Sequence, residues 1–292
     1  MLICNSNLLV VELVSGEKTQ AAKPWYISCV IQYCIWGVGK LKIGIALGGG
    51  GARGFVHLGV LTALEEKGII PDIVSGVSAG AIIGAFIASG KKPSEIMELI
   101  KDNKFIDYAK LRLPTTGLFS LDNFQKNIER DLPARSFSDL KLPFYVAVTN
   151  LYSGKVEYLD EGPLIPEIQA SCSIPMLFLP VEINGNLYID GGLLDNLPCK
   201  PLIGKCDKII AINILACGKI DKIGNLKEIA VRTFELSISI NRELAQKECD
   251  ILIEPTGLEN FNILDNSNCK EMFRIGYDYC SKISDLEKLL RD

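Results

Sequence analysis

A pentapeptide with a central serine, Gly76-Val77-Ser78-Ala79-Gly80, constrains the fold more than any other stretch of this sequence. It follows an extended run at 69–75 and precedes small and apolar residues at 79–88. This order predicts a strand, a sharp turn and a helix, with glycines that let strand and helix pass closely. The serine hydroxyl is then exposed at a helix N-terminus, whose positive end favours a developing negative charge. The alternative is an ordinary turn with a serine N-cap.

The composition permits a large hydrophobic core and argues against several classes of protein. The chain has 292 residues, of which 48% are hydrophobic and 23% charged, and its net charge is −4. This length fits one large α/β domain or two small ones. Because no basic face or run stands out, no nucleic-acid partner is expected. Ten cysteines without a CxxC pair and a single histidine, His57, indicate reduced thiols in a cytoplasmic protein and no metal centre.

The first forty residues differ from the rest of the chain. They contain two apolar runs, and neither reaches the roughly 20 residues that a membrane span requires. The features of a signal peptide are also missing. We therefore expect residues 1–40 to be an N-terminal extension on a main domain at 41–292. The alternatives are an interfacial membrane anchor and an over-long start of the reading frame.

A glycine-rich loop follows a predicted buried strand at 42–47 and precedes a helix. Its four glycines are Gly48, Gly49, Gly50 and Gly51. Consecutive glycines point several N–H groups into one concavity, which makes an anion site. This loop suits an oxyanion hole for the serine on the neighbouring strand. It also fits a dinucleotide pattern, but Asp72 lies at the start of the second strand, where that pattern requires an acidic residue at the strand's end.

Two polar residues lie on the helix after this loop. Arg53 is either a solvated or salt-bridged arginine or a support for the glycine loop and the oxyanion. His57 lies one turn further among apolar residues, where a single histidine is more often a hydrogen-bonded core residue than a base. We therefore expect His57 to be packed rather than catalytic.

The remaining chain alternates strands and helices. The pattern predicts strands near 143–149, 155–159, 207–215 and 249–254, and helices near 94–101, 121–130, 163–171, 226–247 and 267–290. An Asn-Gly pair at 184–185 predicts a hairpin with a type I′ turn. Two apolar stretches, 111–119 and 174–179, are candidates for a flap, an acyl-chain pocket or membrane contact. Alternatively they pack as ordinary connecting segments.

Asp190 is the best placed candidate for a catalytic base. It ends the second hairpin strand before Gly191 and Gly192, so it is held on a rigid element yet open to approach. The alternative is a common turn-forming Asp-Gly. A serine hydroxyl is a poor nucleophile without a base, and no histidine follows Ser78, so a triad in the order Ser, Asp, His cannot be built. A carboxylate needs partial desolvation for this role, because desolvation raises its pKa.

Three ordered blocks of the sequence resemble those of the patatin-like phospholipases. They are the glycine loop through Gly54, the serine pentapeptide, and Asp190 with its two glycines. The segments 170–175 and 195–198 also resemble pieces of the family, although position 195 is an aspartate where asparagine is usual. The resemblance covers about residues 41–292 and implies a three-layer α/β/α fold with a mainly parallel central sheet.

The resemblance also implies a chemistry, a serine lipid acyl hydrolase of phospholipase or esterase type that works through an acyl-enzyme. By position, Ser78 is the nucleophile, Asp190 its base, and the loop Gly48–Gly51 with Arg53 the oxyanion site. The implied substrate is a phospholipid or another acyl-ester lipid, met at the inner face of a membrane, with no cofactor. Two rivals stay open, a catalytically silent lipid-binding or regulatory protein and a dinucleotide-binding oxidoreductase. The oligomeric state is left open.

Overall fold

The computed structural model describes residues 41–101, 122–219, 222–239, 246–284 and 286. Its strands are β1 Ile43–Leu47, β2 Ile73–Gly76, β3 Phe144–Asn150, β4 Lys155–Leu159, β5 Val181–Ile183, β6 Asn186–Asp190, β7 Lys208–Ile212 and β8 Ile251–Ile253. Its helices are α1 Gly54–Glu66, α2 Ala79–Ala88, α3 Pro93–Ile100, α4 Asp122–Asp131, α5 Leu164–Ser171, α6 Leu226–Ser239 and α7 Cys269–Ser281. The predicted extension at 1–40 and the candidate flap at 111–119 lie outside the described residues.

The strands form one mixed sheet in the order β5-β6-β3-β2-β1-β7-β8, with β4 paired to β3 beside this path. The pairs β1–β2, β1–β7, β2–β3 and β7–β8 are parallel. The pairs β3–β4, β3–β6 and β5–β6 are antiparallel. Because β1 and β2 are parallel neighbours, the loops that follow them meet at one edge of the sheet.

Both faces of the central strands are buried. Ile45 and Leu47 of β1 belong to the larger apolar cluster, which the helices cover, whereas Ala46 belongs to a smaller cluster on the opposite face. The segment 197–202, with a short 3₁₀ turn, covers this smaller cluster. Burial on both faces explains why β1 reads as a continuous apolar run. The predicted α/β class, a central sheet flanked by helices, is confirmed.

Local sequence signals set the bounds of several elements. Asn184 and Gly185 both have positive φ, 49° and 76°, as the predicted type I′ hairpin turn requires. The strand predicted at 207–215 ends earlier, at Ile212, because the Asn213 side chain accepts the N–H of Leu215 at 3.1 Å and turns the chain out of the sheet. Of the helix predicted at 226–247, α6 covers Leu226–Ser239 and residues 246–247 are again helical, while 240–245 lie outside the described residues.

Helix α1, which follows the glycine loop, packs closely on α7. A side chain at Gly59 would overlap the carbonyl of Phe273, and one at Gly276 would overlap the carbonyl of Val56. The two helices approach at these glycines because neither position carries a Cβ. This contact fixes the helix that carries Arg53 and His57 at its N-terminal end.

Candidate active site

Ser78 lies at the predicted sharp turn between β2 and α2. Its backbone has φ 53° and ψ −121°, in a region that a residue with a side chain rarely adopts. A side chain at Gly76 would overlap the carbonyl of Gly80, and one at Gly80 would overlap the carbonyl of Leu47. The two glycines are therefore required by close backbone approach, and the predicted strand-turn-helix is confirmed.

The backbone of Ser78 is held from a distant segment. Its N–H donates to Ser171 Oγ at 2.9 Å, and the Ser171 hydroxyl donates to the Ala147 carbonyl at 2.7 Å. The Cys172 thiol lies 3.5 Å from the Ser78 carbonyl, as a hydrogen-bond donor to it. Strained backbone persists only where its surroundings fix it. Ser171 and Cys172 supply that support, and sequence reasoning assigned neither of them a role.

The four glycines differ in the use of their N–H groups. Gly48 donates to the Ile212 carbonyl at 3.1 Å, and Gly49 donates to the Asn196 carbonyl at 3.3 Å. The N–H groups of Gly50 and Gly51 have no hydrogen-bond partner within the described ranges. A Cβ at Gly49 would lie 3.2 Å from the Cβ of Ser78, so the loop adjoins the serine. Two donors beside Ser78 are therefore free to bind an oxyanion.

Asn196 holds the glycine loop in place. Besides its backbone bond with the Gly49 N–H, its side-chain Nδ2 donates to the Gly49 carbonyl at 3.3 Å. The carboxylate of the preceding residue, Asp195, accepts hydrogen bonds from the Tyr158 hydroxyl at 2.5 Å and from the N–H of Leu197 at 3.2 Å. Asn196 is a site residue that sequence reasoning missed, since its contact spans 147 residues.

Asp190 ends β6 and its side chain is buried. Its Oδ1 accepts the N–H of Gly192 at 2.8 Å, while Oδ2 has no partner of good hydrogen-bond geometry among the described residues. Burial raises the pKa of Asp190 to about 7, and the Gly192 N–H and the Ser78 hydroxyl act in the opposite direction. The hydroxyl is thus near enough to lower the pKa of this carboxyl, although their contact falls short of full hydrogen-bond geometry.

His57 is a hydrogen-bonded core residue, as predicted. Its ring is fully buried, and Nε2 lies 2.8 Å from the Gly48 carbonyl. Burial lowers the pKa of His57 to about 4, although the bond to Gly48 acts in the opposite direction. The ring is therefore neutral at pH 7 and donates its Nε2 proton to the loop.

The buried imidazole should make stability depend on pH. Because the pKa of His57 is about 4 in the folded chain and 6.5 in its ordinary state, the unfolded chain binds more protons between these values. The free energy of unfolding should therefore fall by about 3 kcal/mol from this group as pH drops from about 6.5 to 4. Urea titrations of wild type and His57→Gln, compared at each pH, check this. Parallel pH profiles for the two proteins would contradict it.

Arg53 connects the glycine loop to three other segments. Its Nε donates to the Phe261 carbonyl and its Nη1 to the Ala216 carbonyl, each at 3.0 Å. Its Nη2 forms a buried ion pair with Glu235 of α6 at 3.2 Å. These contacts agree with the interpretation of Arg53 as a salt-bridged arginine. The carboxylate of Asp72 lies near the start of β1, where it accepts the Ile43 N–H at 3.0 Å, so the dinucleotide pattern lacks its acidic residue.

The site is closed over the serine. Ser78 is 4% exposed, which corrects the predicted exposure of its hydroxyl. The cavity beside it has a volume of about 10 Å³, space for roughly one water molecule. Helix α6 is the reason, because Phe234 and Ile238 from its buried face line this cavity. Within the described part of the chain, no group of three or more His, Cys, Asp and Glu side chains is placed to hold a metal ion.

The chain is similar to several known proteins. A family model described as patatin-like phospholipase matches residues 45–203, more than half of the chain. An uncharacterized NTE family protein of Mycobacterium tuberculosis is 33% identical over 177 residues, which are 59% of this chain and 49% of that protein. Lysophospholipase NTE1 of Saccharomyces cerevisiae is 28% identical over 274 residues, which are 81% of this chain and 16% of that protein.

The chain therefore spans about half the length of the mycobacterial relative, and much less of the yeast one. Among solved structures, the crystal structure of VipD from Legionella pneumophila matches with a TM-score of 0.48 at 16% identity, over 86% of this chain and 67% of that one.

Proposed function

Because this chain belongs to the patatin-like phospholipase family, we propose that it hydrolyses acyl esters of lipids, with Ser78 as nucleophile and Asp190 as base. The observation that carries the proposal is the pairing of a strained serine with a buried carboxyl whose pKa burial raises to about 7. Labelling by a fluorophosphonate, located at Ser78 by mass spectrometry, tests it. A lipid panel with products read by mass spectrometry then identifies the substrate.

The proposed reaction uses Asp190 twice. Its ionised Oδ2 takes the Ser78 proton as Oγ attacks the ester carbonyl carbon, and the same carboxyl returns the proton to the leaving alcohol. A water molecule deprotonated by Asp190 then attacks the acyl-enzyme and regenerates the serine. A base works best when its pKa lies near the operating pH, and a pKa of about 7 meets that condition.

The proposed oxyanion donors are the N–H groups of Gly50 and Gly51. Both are without a hydrogen-bond partner among the described residues, and the loop lies against the Ser78 side chain. Gly48 and Gly49 contribute by fixing the loop, because their N–H groups already bond to Ile212 and Asn196. Arg53 supports the loop through its contacts with distant carbonyls and with Glu235.

Asn196→Ala should lower kcat by roughly ten- to hundredfold, with a smaller change in KM. The amide is expected to orient the Gly49–Gly50 peptide, and small errors in the position of catalytic groups cost up to about a hundredfold. Steady-state kinetics with a short-chain p-nitrophenyl ester measure the effect. Unchanged kcat in a folded Asn196→Ala protein would exclude a positioning role.

Asn150→Ala is the matched control for this variant. Asn150 is also buried, and its amide donates to Glu157 at 2.8 Å and accepts the N–H of Tyr152 at 2.9 Å. Its loss should reduce the stability of the chain by a similar amount without changing kcat. Comparison of the two variants separates a positioning effect from a general loss of stability.

A second candidate function is a catalytically silent lipid-binding or regulatory protein on the same fold. The small cavity beside Ser78 is the observation that favours it, because a space for roughly one water molecule does not admit an ester substrate. A folded wild-type protein that resists fluorophosphonate labelling both with and without lipid vesicles would support this alternative over hydrolysis.

The proposed partners are phospholipids or other acyl-ester lipids, reached by peripheral contact with a membrane. Within the described residues, no helix is long and apolar enough to span a bilayer. In the predicted apolar stretch at 174–179, Met176 and Leu179 are exposed, which supports contact with lipid. The hydrolase domain is proposed to cover residues 41–292. The location in the cytoplasm and the packing of residues 1–40 stay predictions.

A further inference from the structure

Helix α6 forms the wall that closes the site. Phe234 and Ile238 are buried and line the cavity beside Ser78. The volume of about 10 Å³ leaves space for roughly one water molecule. An acyl ester that reaches Ser78 must therefore displace part of this wall.

Two other parts of the cavity wall are held by backbone hydrogen bonds. The glycine loop is tied to Ile212 and Asn196, and Ile174 lies in a hydrogen-bonded turn next to Ser173, whose carbonyl accepts the Asp190 N–H at 3.0 Å. Helix α6 lies outside the sheet and begins after an exposed segment at 222–225. Its polar ties to the remainder of the chain include the Arg53–Glu235 ion pair and a bond from Arg232 to the Gly218 carbonyl at 2.7 Å.

The outer face of α6 is also apolar. Leu226, Ile229 and Leu236 are 80%, 48% and 49% exposed, and at 100° per residue they fall on one side of the helix. Ile229 and Leu236 lie about 140–180° around the helix from Phe234 and Ile238, whereas Leu226, at the start of the helix, lies about 80–120° from them. A helix that is apolar on two sides is expected to contact an apolar environment on each of them.

Other exposed apolar side chains lie on segments next to the cavity wall or to α6. Met176 and Leu179 are exposed in the segment that carries Ile174, a residue of the cavity wall. Leu194 is exposed beside the turn at Gly191–Leu193, which α6 contacts. Exposed apolar side chains therefore occur on α6 and on two segments close to the cavity or to α6, and we refer to them together as the apolar rim. A partner that contacted all of them would be broad and apolar.

We propose that α6 is a gate whose outer face docks on a lipid bilayer and which opens there to admit substrate. This inference rests on the proposed ester hydrolysis at Ser78. In water, opening would expose Phe234 and Ile238, which is unfavourable. Against hydrocarbon the same side chains are transferred into an apolar environment. A bilayer that contacts the open form better than the closed one shifts the equilibrium toward opening.

The docking step is tested by vesicle co-sedimentation in the Ser78→Ala background, where no lipid is consumed. The full chain carrying Leu226→Gln and Ile229→Gln should bind phosphatidylcholine–phosphatidylglycerol vesicles roughly tenfold more weakly, since such binding scales with buried apolar area. The matched control, Ile70→Gln with Ile203→Gln, removes two exposed isoleucines outside the rim and should bind as the parent does. The proposal is overturned if both double variants lose vesicle binding equally, or if neither of them loses it.

The gating step is tested by the rate of fluorophosphonate labelling at Ser78. Vesicles of ether-linked phosphatidylcholine, which has no ester to cleave, should accelerate labelling of the wild-type chain by roughly tenfold. The α6 double variant should lose this acceleration while its labelling rate without vesicles stays within about twofold of wild type, because the Leu226 and Ile229 side chains are exposed and do not line the cavity. If vesicles do not change the labelling rate of the wild-type chain, the proposal that α6 is a gate is wrong.

These readouts separate the inference from the function on which it rests. If the wild-type chain cleaves no ester, but the α6 substitutions still weaken vesicle binding, the docking proposal stands and the proposed hydrolysis is wrong. If it cleaves soluble esters but vesicles change neither binding nor labelling, hydrolysis stands and the gate is wrong. If light scattering shows that the α6 substitutions convert a dimer to a monomer while vesicle binding is unchanged, the face binds a second copy and the proposal is overturned.

Discussion

Ser78→Ala should abolish ester hydrolysis and fluorophosphonate labelling while the fold stays intact. The hydroxyl is the proposed nucleophile, and removal of a catalytic serine costs on the order of a million-fold in kcat. The backbone of residue 78 is held through its own N–H and carbonyl by Ser171 and Cys172, so these contacts survive the substitution. Turnover of a short-chain p-nitrophenyl ester by the purified variant, followed to the background rate, measures the loss.

Ser89→Ala is the matched control. Ser89 is also buried, and its hydroxyl donates to the Phe86 carbonyl at 2.7 Å, at the far end of α2 from Ser78. The Ser89→Ala substitution should lower the stability of the chain and leave its turnover unchanged. Circular dichroism should show the same spectrum for both variants. Near wild-type turnover in Ser78→Ala would remove the serine from the mechanism, whatever the result for Ser89→Ala.

The elements of the site could be predicted from sequence where the cause is local. The pentapeptide around Ser78 needs its glycines for approach between neighbouring segments, and the Asn-Gly pair before β6 needs positive φ at both residues. Each requirement involves only a few neighbouring residues, so the amino-acid sequence alone is enough to predict the local structure. The same holds for the strand end that delivers Asp190.

The supports of the site could not be predicted in this way. Ser171 and Ser78 are 93 residues apart, and Asn196 and Gly49 are 147 apart, so their contacts exist only after the sheet has formed. The four glycines look alike in the sequence. They differ in the fold because Gly48 prolongs the contact of β1 with β7 through the Ile212 carbonyl, whereas the chain leaves the sheet before Gly50.

The cover over the site has the same explanation. Phe234 and Ile238 show the spacing of an ordinary core helix, and nothing in that spacing says that their neighbours in the fold are the glycine loop and Ser78. Arg53 likewise pairs with Glu235 across 182 positions of chain, the difference between their residue numbers. Sequence therefore predicted a reactive serine that is open to approach, and the fold places a helix over it.

Asp190→Asn should be nearly inactive, with kcat reduced by roughly 10²–10⁴-fold, the usual contribution of a general base. The amide keeps the shape of the carboxyl and can still accept the Gly192 N–H, but it cannot take the Ser78 proton. The variant should also be more stable than wild type above pH 7. Burial raises the pKa of Asp190 to about 7 from 3.8, so the wild-type chain loses stability as pH rises through this range. The loss amounts to about 4 kcal/mol, and asparagine avoids it.

The pH profile of wild-type kcat/KM gives a second measurement of the same group. A carboxylate acts as base only when ionised, so activity should rise with pH and reach a plateau above about 7, the pKa of Asp190. His57 titrates near pH 4 and should leave no mark on this profile. A rise centred near pH 4 would match either His57 or a solvated carboxyl, and it would contradict the buried Asp190 as the base.

His57→Gln is the variant that decides between the two bases. The imidazole is neutral and bonds to the Gly48 carbonyl, so its loss should weaken support of the loop and leave substantial turnover. Both variants require a native circular dichroism spectrum, because a misfolded protein answers neither question. A folded Asp190→Asn protein that keeps most of its turnover, beside a folded His57→Gln protein that loses all of it, would replace the Ser–Asp dyad with a Ser–His pair. The opposite result leaves Asp190 as the group that takes the Ser78 proton.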